Sequence, residues 1–432
     1  MYSQGLQQKF EEKDIEVGDR IKVKDREGLL MPKPDTGDSE IINLKLDSGY
    51  NIGLEPEKVE LVEKKESEGL KRPEVTHSED KPDVLILHTG GTIASRVSYK
   101  EGGVKPAFEP EDLVQMYPEL DEEVNIHSEV IAQMLSEDME PAHWQEIAEK
   151  IDEVQGEYDG IIVGHGTDTM SYTGAALTLM LQGLDTGVML VGSQRSSDRP
   201  SSDASMNVYC ASKFLTETEF SGVGICMHET SSDNWCNILP AAKARKMHTS
   251  RRNAFSQINA EKIARINYKS GEIQKNFEKE DGEYELRPEL DDNVGMIRIR
   301  PGMRPEEVEF LIEQDYNGVI IEGTGLGHMP VNAFDDKTQH HDRILEKLSE
   351  LADDAVVVMS SQCLNGRVDM NVYSAGIKIQ EAGVISAQDM HPELAYVKLM
   401  WSLGQASDRE EAEEIFQENY SGEISKRSMY SE

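Results

Sequence analysis

The chain has 432 residues, with 44 basic and 82 acidic side chains, a formal net charge of −38 and 38% apolar residues. That length exceeds what one domain usually holds and predicts two or three. A field of this sign repels nucleic-acid phosphates, which excludes a chain that holds nucleic acid mainly by itself, and no apolar run reaches the roughly eighteen residues of a membrane span.

The first stretch, MYSQGLQQKFEEKD, lacks the apolar segment of a secretory signal, so the protein is expected in the cytoplasm. Across residues 1–65 short apolar alternations, Ile15–Val17, Ile21–Val23 and Ile41–Leu46, are separated by Gly and Asp. They predict a small SH3-like β-barrel, with a disordered acidic arm as the alternative. Residues 66–82 are charged and carry two prolines, which marks a linker.

From Val84 the pattern changes. Continuous apolar runs at 84–88, 161–165, 188–193 and 223–227 predict buried strands, and helical periodicities at 141–155 and 173–184 lie between them. The alternation implies an α/β domain with a parallel sheet over 83–275. A polar connection covers 276–292. A second, smaller parallel-sheet α/β domain follows over 293–420, with strands at 294–303, 318–323 and 355–361 and helices at 305–314, 341–352 and 392–402. Residues 421–432 read as an acidic tail that frays.

Four cysteines (Cys210, Cys226, Cys236, Cys363) contain no C-x-x-C pair, so no zinc ribbon or thioredoxin motif is present and no metal site is expected. No Gly-Lys dipeptide exists for a phosphate loop, and no H-E-x-x-H. GTGLGH (323–328) has His328 where a dinucleotide fingerprint needs glycine and reads as an interdomain loop. The acidity suits a halophile, whose carboxylates keep the surface hydrated in concentrated salt, or an ordinary acidic cytosolic protein.

Two segments, HTGGTIAS (88–95) and GHGTDTMS (164–171), place threonines and glycines directly after buried strands. Ligands bind at such strand ends, and glycine lets backbone N–H groups approach an anionic oxygen. Either segment alone is also ordinary turn chemistry. Together, Thr89-Gly90-Gly91-Thr92-Ile93-Ala94 and His165-Gly166-Thr167-Asp168-Thr169 resemble, in order and separation, the paired motifs of the L-asparaginase/glutaminase family. The resemblance implies the L-asparaginase fold and amide hydrolysis through an acyl-enzyme. It makes Thr92 the first nucleophile and Thr167 a second active threonine, activated by Lys246 in ARKMHTSRRNAF, with Asp168 orienting the lysine. Lys246 otherwise reads as a solvated cation among Lys243, Arg245, Arg251 and Arg252. Tyr99 resembles the family's lid tyrosine, or is an exposed loop residue. Ser136 and Glu137 in LSEDMEP, with the N–H groups at Gly91 and Gly166, are implied to hold the substrate's α-carboxylate and α-ammonium. Ser136 is alternatively a helix N-cap. In the register set by Tyr373, Arg367 stands where tetrameric asparaginases place an acid from a neighbouring protomer, which puts that tetramer and the asparagine preference in doubt.

The strings KLDSGYNIG, HTGGTIASRVSY and GRVDMNVYS, the N-terminal module and the acidity resemble the family of D subunits of archaeal glutamyl-tRNA(Gln) amidotransferases. That resemblance implies release of ammonia from glutamine or asparagine, with no cofactor in this chain. A partner, the amidotransferase E subunit, would use ATP and Mg and hold most of the tRNA(Gln), and a homodimer of this chain would sit within a heterotetramer. A free-standing L-asparaginase and a catalytically silent scaffold are the competing readings.

Overall fold

A computed structural model describes residues 2–31, 33, 38–46, 51–64, 77–90, 95–98, 103–106, 118–195, 202–279 and 282–427. The N-terminal module is an antiparallel five-stranded sheet in the order Asn51–Leu54, Ile42–Lys45, Arg26–Leu30, Arg20–Val23, Val59–Glu63. One face of each strand points inward, as the alternation predicts, and Ile21, Val23, Leu30, Ile42 and Leu44 are fully buried. The helix Gln4–Glu12, which the sequence reading left without an element, completes that core with Leu6 and Phe10; Ser3 Oγ accepts from Leu6 N–H at its N-terminus.

The large domain is built on an eight-stranded sheet, and its buried runs have a simple cause. In the strand Asp83–Gly90, Leu85 and Leu87 face one apolar cluster while Val84 and Ile86 face another. The strands Gly160–Gly164 and Gly187–Val191 divide their side chains in the same way, so neither face meets water. Helices Pro141–Val154 and Met170–Met180 cover one face, and Ala204–Glu217 the other.

The sheet departs from the expected all-parallel arrangement at one edge. Asn125–Met134, Asp83–Gly90, Gly160–Gly164, Gly187–Val191 and Gly222–His228 are parallel, whereas Trp235–Pro240, Ala264–Asn267 and Ile273–Lys275 add antiparallel. The connections 229–234 and 268–272 are too short for a crossover helix, so the chain must reverse as hairpins.

The smaller domain carries a parallel four-stranded sheet in the order Val294–Arg298, Gly318–Gly323, Val356–Ser361, Ile385–Ser386. Pro305–Glu313 and His340–Asp354 pack on one face through Val308, Leu311, Ile344 and Leu348. Pro392–Gln405 lies on the other face, where Leu394, Val397 and Trp401 join Ile320 and Val358 in the same cluster as the large domain's Leu85 and Ala175. The two α/β domains thus share a continuous core. GTGLGH is not the expected interdomain loop. It makes a tight reversal at the end of Gly318–Gly323, with Thr324 N–H bonded to His328 O, and lies against Met359 and Val368 of its own domain.

Of the expected acidic tail 421–432, residues 421–425 are held in place, and residues 428–432 lie outside the described residues. After the helix Arg409–Gln417 the chain stays docked as far as Ser425. Glu423 is completely buried, and its carboxylate accepts from Lys398 Nζ at 2.6 Å and from the N–H groups of Tyr420 and Ser421. An acidic side chain with three donors stays inside without an unmet acceptor, which composition alone does not reveal. Among the described residues no helix is long and apolar enough to cross a membrane.

Candidate active site

Three neighbouring parallel strands end at one place. Thr89 Oγ1 donates to Gly164 O across 3.0 Å, tying the end of one strand to the next. Gly192, directly after Gly187–Val191, completes the group: a Cβ there would lie 2.7 Å from Thr167 Cγ2 and 2.8 Å from His165 O. Only glycine lets the Gly166–Asp168 turn settle that close. Gly90 is equally constrained, with φ +116° and Met134 O at 2.1 Å from any added Cβ.

His165 supports the turn from below. It is fully buried, and its Nδ1 lies 2.6 Å from Gly166 O, which can only accept; Nδ1 therefore carries the proton. Burial pushes its pKa down to about 4, so the ring is neutral and Nε2 accepts from Thr173 Oγ1 at 2.8 Å. One tautomer thus links the turn to the helix Met170–Met180.

Lys246 comes from a different part of the fold. It ends the short strand Ala244–Lys246, which pairs antiparallel with Phe255–Gln257 so that Lys246 faces Phe255. Its Nζ lies 2.8 Å from Thr167 Oγ1 and 2.8 Å from Asp168 Oδ1. The lysine side chain is 13% exposed and the aspartate 67%, so the ammonium leans inward over the threonine while the carboxylate faces solvent. Lys246 is therefore not the solvated cation of the alternative reading. Its neighbours are not free cations either: Lys243 is buried on Asp389, and Arg245 pairs with Glu393 at 2.6 Å.

Ser136 is buried beside the same turn. It opens the 3₁₀ turn Ser136–Asp138, a Cβ on Gly166 would lie 2.8 Å from its Oγ, and its carbonyl accepts from Thr169 Oγ1 at 2.6 Å. The N-cap of the helix Pro141–Val154 is Glu140, so Ser136 is not that cap. Glu137 is exposed next to it. The structure therefore gathers Ser136, Gly166, Thr167, Asp168 and Lys246, and it gives Glu137 no hydrogen bond or ion pair with them. Gly91, Thr92 and Tyr99 lie outside the described residues. Sequence reasoning missed Gly192, whose signal was a glycine directly after an apolar run, and Thr169 and His165 as supports for the turn.

A cavity of about 480 Å³ lies elsewhere, lined by Phe220, Gly222, Lys243, Phe277 and Tyr420. It borders the start of the strand Gly222–His228, whereas Thr167 follows the end of a parallel strand, so it sits at the opposite edge of the sheet from the Lys246 cluster.

Arg367 makes contacts within its own chain. Its guanidinium donates to Gln388 Oε1 at 2.9 Å and to Ser425 O, and lies 3.6 Å from Asp389.

The family profile described as "Asparaginase, N-terminal" matches residues 83–279, "Glutaminase/Asparaginase C-terminal domain" matches 293–416, and "GatD N-terminal domain" matches 15–64. The D subunit of glutamyl-tRNA(Gln) amidotransferase from Pyrococcus furiosus is 42% identical over 436 residues, covering 96% of this chain and 96% of that protein. The protein of the same name from Methanothermobacter thermautotrophicus is 42% identical, covering 99% of this chain and 98% of its own length. Among solved structures, the thermostable L-asparaginase from Thermococcus kodakarensis is similar with a TM-score of 0.72 and 34% identity, covering 79% of this chain and 99% of that one. The L-asparaginase I from Vibrio cholerae is similar with a TM-score of 0.65 and 28% identity, covering 80% and 99%.

Proposed function

Because the chain belongs to the family of glutamyl-tRNA(Gln) amidotransferase D subunits, with an amidohydrolase body of the asparaginase type, we propose that it releases ammonia from glutamine through a threonine-bound acyl intermediate. The observation that carries this reading is the single Lys246 Nζ placed 2.8 Å from both Thr167 Oγ1 and Asp168 Oδ1.

In this reading Ser136, with the backbone N–H groups at Gly91 and Gly166, takes the substrate's α-carboxylate, and Glu137 with Asp168 takes its α-ammonium. Thr92 Oγ attacks the side-chain carboxamide carbon. Its proton passes to the leaving nitrogen, the C–N bond breaks, and ammonia departs, leaving an ester on Thr92. Water then attacks the ester carbon, releasing glutamate and restoring the hydroxyl. Lys246, hydrogen-bonded to Thr167 Oγ1 and held by Asp168, orients the Thr167 hydroxyl so that it relays the protons in these transfers. Tyr99 closes over the site during the first attack.

The ammonia is consumed by a partner, the amidotransferase E subunit, which uses ATP and Mg to activate glutamate on tRNA(Gln) and holds most of that tRNA. The net charge of −38 agrees with tRNA binding lying elsewhere. A homodimer of this chain, within a heterotetramer in the cytoplasm of a halophile, completes the proposal. Asparagine is the competing amide donor.

The test is ammonia release from glutamine in concentrated KCl, by this chain alone and then with the E subunit, ATP and glutamyl-tRNA(Gln). Strong stimulation by the full set supports the coupled reaction, whereas equally fast turnover without partners assigns a free-standing asparaginase. Lys246→Met is expected to lower kcat by roughly 10²–10⁴-fold, and Thr92→Ala to abolish hydrolysis. Hydrolysis surviving in Thr92→Ala removes the nucleophile assignment.

A further inference from the structure

The C-terminal segment 418–427 lies beyond residue 416, where the match to the asparaginase C-terminal domain ends. It is anchored twice. Glu423 and Lys398 form a completely buried pair at 2.6 Å, and Lys398 also donates to Glu418 O. Further along, Ser425 Oγ accepts from Lys243 Nζ at 2.7 Å, and Ser425 N–H donates to Asp389 Oδ1 at 3.0 Å. Lys243 Nζ has three partners, Asp389 Oδ2 at 2.7 Å, Ser425 Oγ and Asn259 O at 3.4 Å, which use all the protons of an ammonium. Arg367 holds the other side of Ser425 through its carbonyl.

Lys243 ends the 3₁₀ turn Ala241–Lys243, and the strand Ala244–Lys246 starts at the next residue. Three residues of extended chain, about 10 Å, separate this anchor from Lys246. The other strand of that pair is held by the same group: Ile258 N–H donates to Lys243 O, and Asn259 Nδ2 donates to Asp389 O at 2.8 Å. Both strands of the ribbon that presents Lys246 therefore leave one buried knot, to which the C-terminal segment contributes a hydroxyl, an N–H and a carbonyl.

We infer that residues 418–427 are a strap that positions the Lys246 ribbon, with Ser425 and Lys243 as positioning residues for amide hydrolysis. The inference rests on the proposed role of Lys246. A displaced ribbon changes the Nζ–Thr167 Oγ1 distance, and reaction rates fall steeply when a proton-transfer group moves by an ångström. The substrate-holding groups Ser136 and Glu137 lie on another part of the chain. Asp168 touches Lys246 but is carried on the turn after Gly160–Gly164, not on the ribbon, so loss of the strap acts mainly on kcat.

The experiment compares steady-state ammonia release by the full chain, Ser425→Ala, Ser425→Thr, Lys246→Met and a chain ending at Gln417 that also carries Lys398→Met. The last change removes the charge that would otherwise be stranded. Expected are a kcat lower by roughly tenfold to a hundredfold in the shortened chain, a smaller fall in Ser425→Ala, KM within about twofold, and recovery in Ser425→Thr, which restores the hydroxyl. Wild-type kcat in the shortened chain overturns the strap. If the shortened chain does not fold, wild-type kcat in Ser425→Ala overturns it. Full activity in Lys246→Met removes the underlying role of the lysine, a failure distinct from that of the strap.

Discussion

Replacing Glu423 by alanine removes the carboxylate bonded to Lys398 in an environment where both side chains are completely excluded from water. At 2.6 Å and an effective dielectric constant near 20, the direct attraction is about 6 kcal/mol. Dehydration of two ions offsets most of it, so the intact pair adds little net stability; breaking it is a different matter. The Glu423→Ala protein keeps a buried ammonium whose remaining hydrogen-bond partner is Glu418 O, and the N–H groups of Tyr420 and Ser421 lose their acceptor. The expected loss is about 3–5 kcal/mol for the single change. The double change Lys398→Met with Glu423→Gln removes both charges and retains an amide oxygen for the two N–H groups, and is expected within about 1.5 kcal/mol of wild type. Hydrogen exchange on the 418–427 amides reads the local opening directly, and Trp401 fluorescence reports the same region because its ring lies 5.0 Å from Tyr420. If Glu423→Ala costs less than about 1 kcal/mol and the cycle of Lys398→Met, Glu423→Gln and their double shows no coupling, water reaches this pair in solution and the argument from burial is wrong.

Three further outcomes follow from the site and its supports. Gly166→Ala places a methyl 2.7 Å from Ser136 Cβ, and is expected to leave the protein folded but lower kcat/KM for glutamine by roughly a hundredfold; unchanged kinetics would mean that Ser136 does not pack on the turn during turnover. Thr169→Val deletes the 2.6 Å bond to Ser136 O, should cost about 1 kcal/mol of stability, and should raise KM more than it lowers kcat, as a Michaelis curve will show. Acid should destabilise the protein in a defined window. Burial lowers the pKa of both His88 and His165 to about 4, so the unfolded chain binds the extra protons first, and stability present above about pH 6.5 falls as pH drops toward 4. Each histidine contributes a loss of about 3 kcal/mol once protonated. Glu393 extends the loss: burial alone would raise its pKa, but the His391 hydrogen bond and the Arg245 charge outweigh burial and hold it down to about 2, so its contribution fades below about pH 4.5. A urea midpoint that stays flat from pH 7 to pH 4.5 would contradict the histidine argument.

What was legible in the chain were features whose cause is local. The strand runs at 84–88 and 161–165 read as buried because alternate side chains enter two different clusters, and that demand leaves no polar position before the terminal His88 and His165. The motif around Thr167 was legible because glycines and hydroxyls must follow each other there whatever surrounds them. What stayed hidden depends on partners far away in sequence. Lys243 looked like one cation among several, yet it is buried because Asp389, 146 positions on, and Ser425, 182 positions on, come to meet it. Arg367 occupied a position read for its effect on a neighbouring protomer, and within its own chain it contacts Gln388, Asp389 and Ser425. The helix Gln4–Glu12 was visible only as Ser3 followed by the pair Leu6 and Phe10 at helical spacing, a weak signal in a polar stretch. The acidic end read as a tail because composition averages over residues, and one Glu with three donors reverses the conclusion for its whole neighbourhood.

The same distinction between exposed and buried charge predicts how salt acts on this protein. With 82 acidic side chains over 21168 Å² of surface, one carboxylate stands in about 260 Å², a mean spacing on the order of 16 Å against a Debye length of about 10 Å at 0.1 M. Repulsion among them is partly felt there and is almost gone at 1 M, where the screening length is about 3 Å. Exposed pairs such as Arg300–Glu307 and Arg343–Glu306 weaken with salt too, but surface pairs of this kind contribute little to stability. Lys243–Asp389 and Lys398–Glu423 are shielded from ions and should not respond. Relief of repulsion from an excess of 38 negative charges therefore dominates. The melting temperature should rise by on the order of 10 °C between 0.1 and 2 M KCl, with most of the gain below 1 M where the screening length changes fastest. The slope should shrink in a variant with ten exposed glutamates changed to glutamine. A melting temperature that is flat or falling with KCl would show that the surface carboxylates are already neutralised by their basic neighbours, and would remove the physical basis for a halophilic origin.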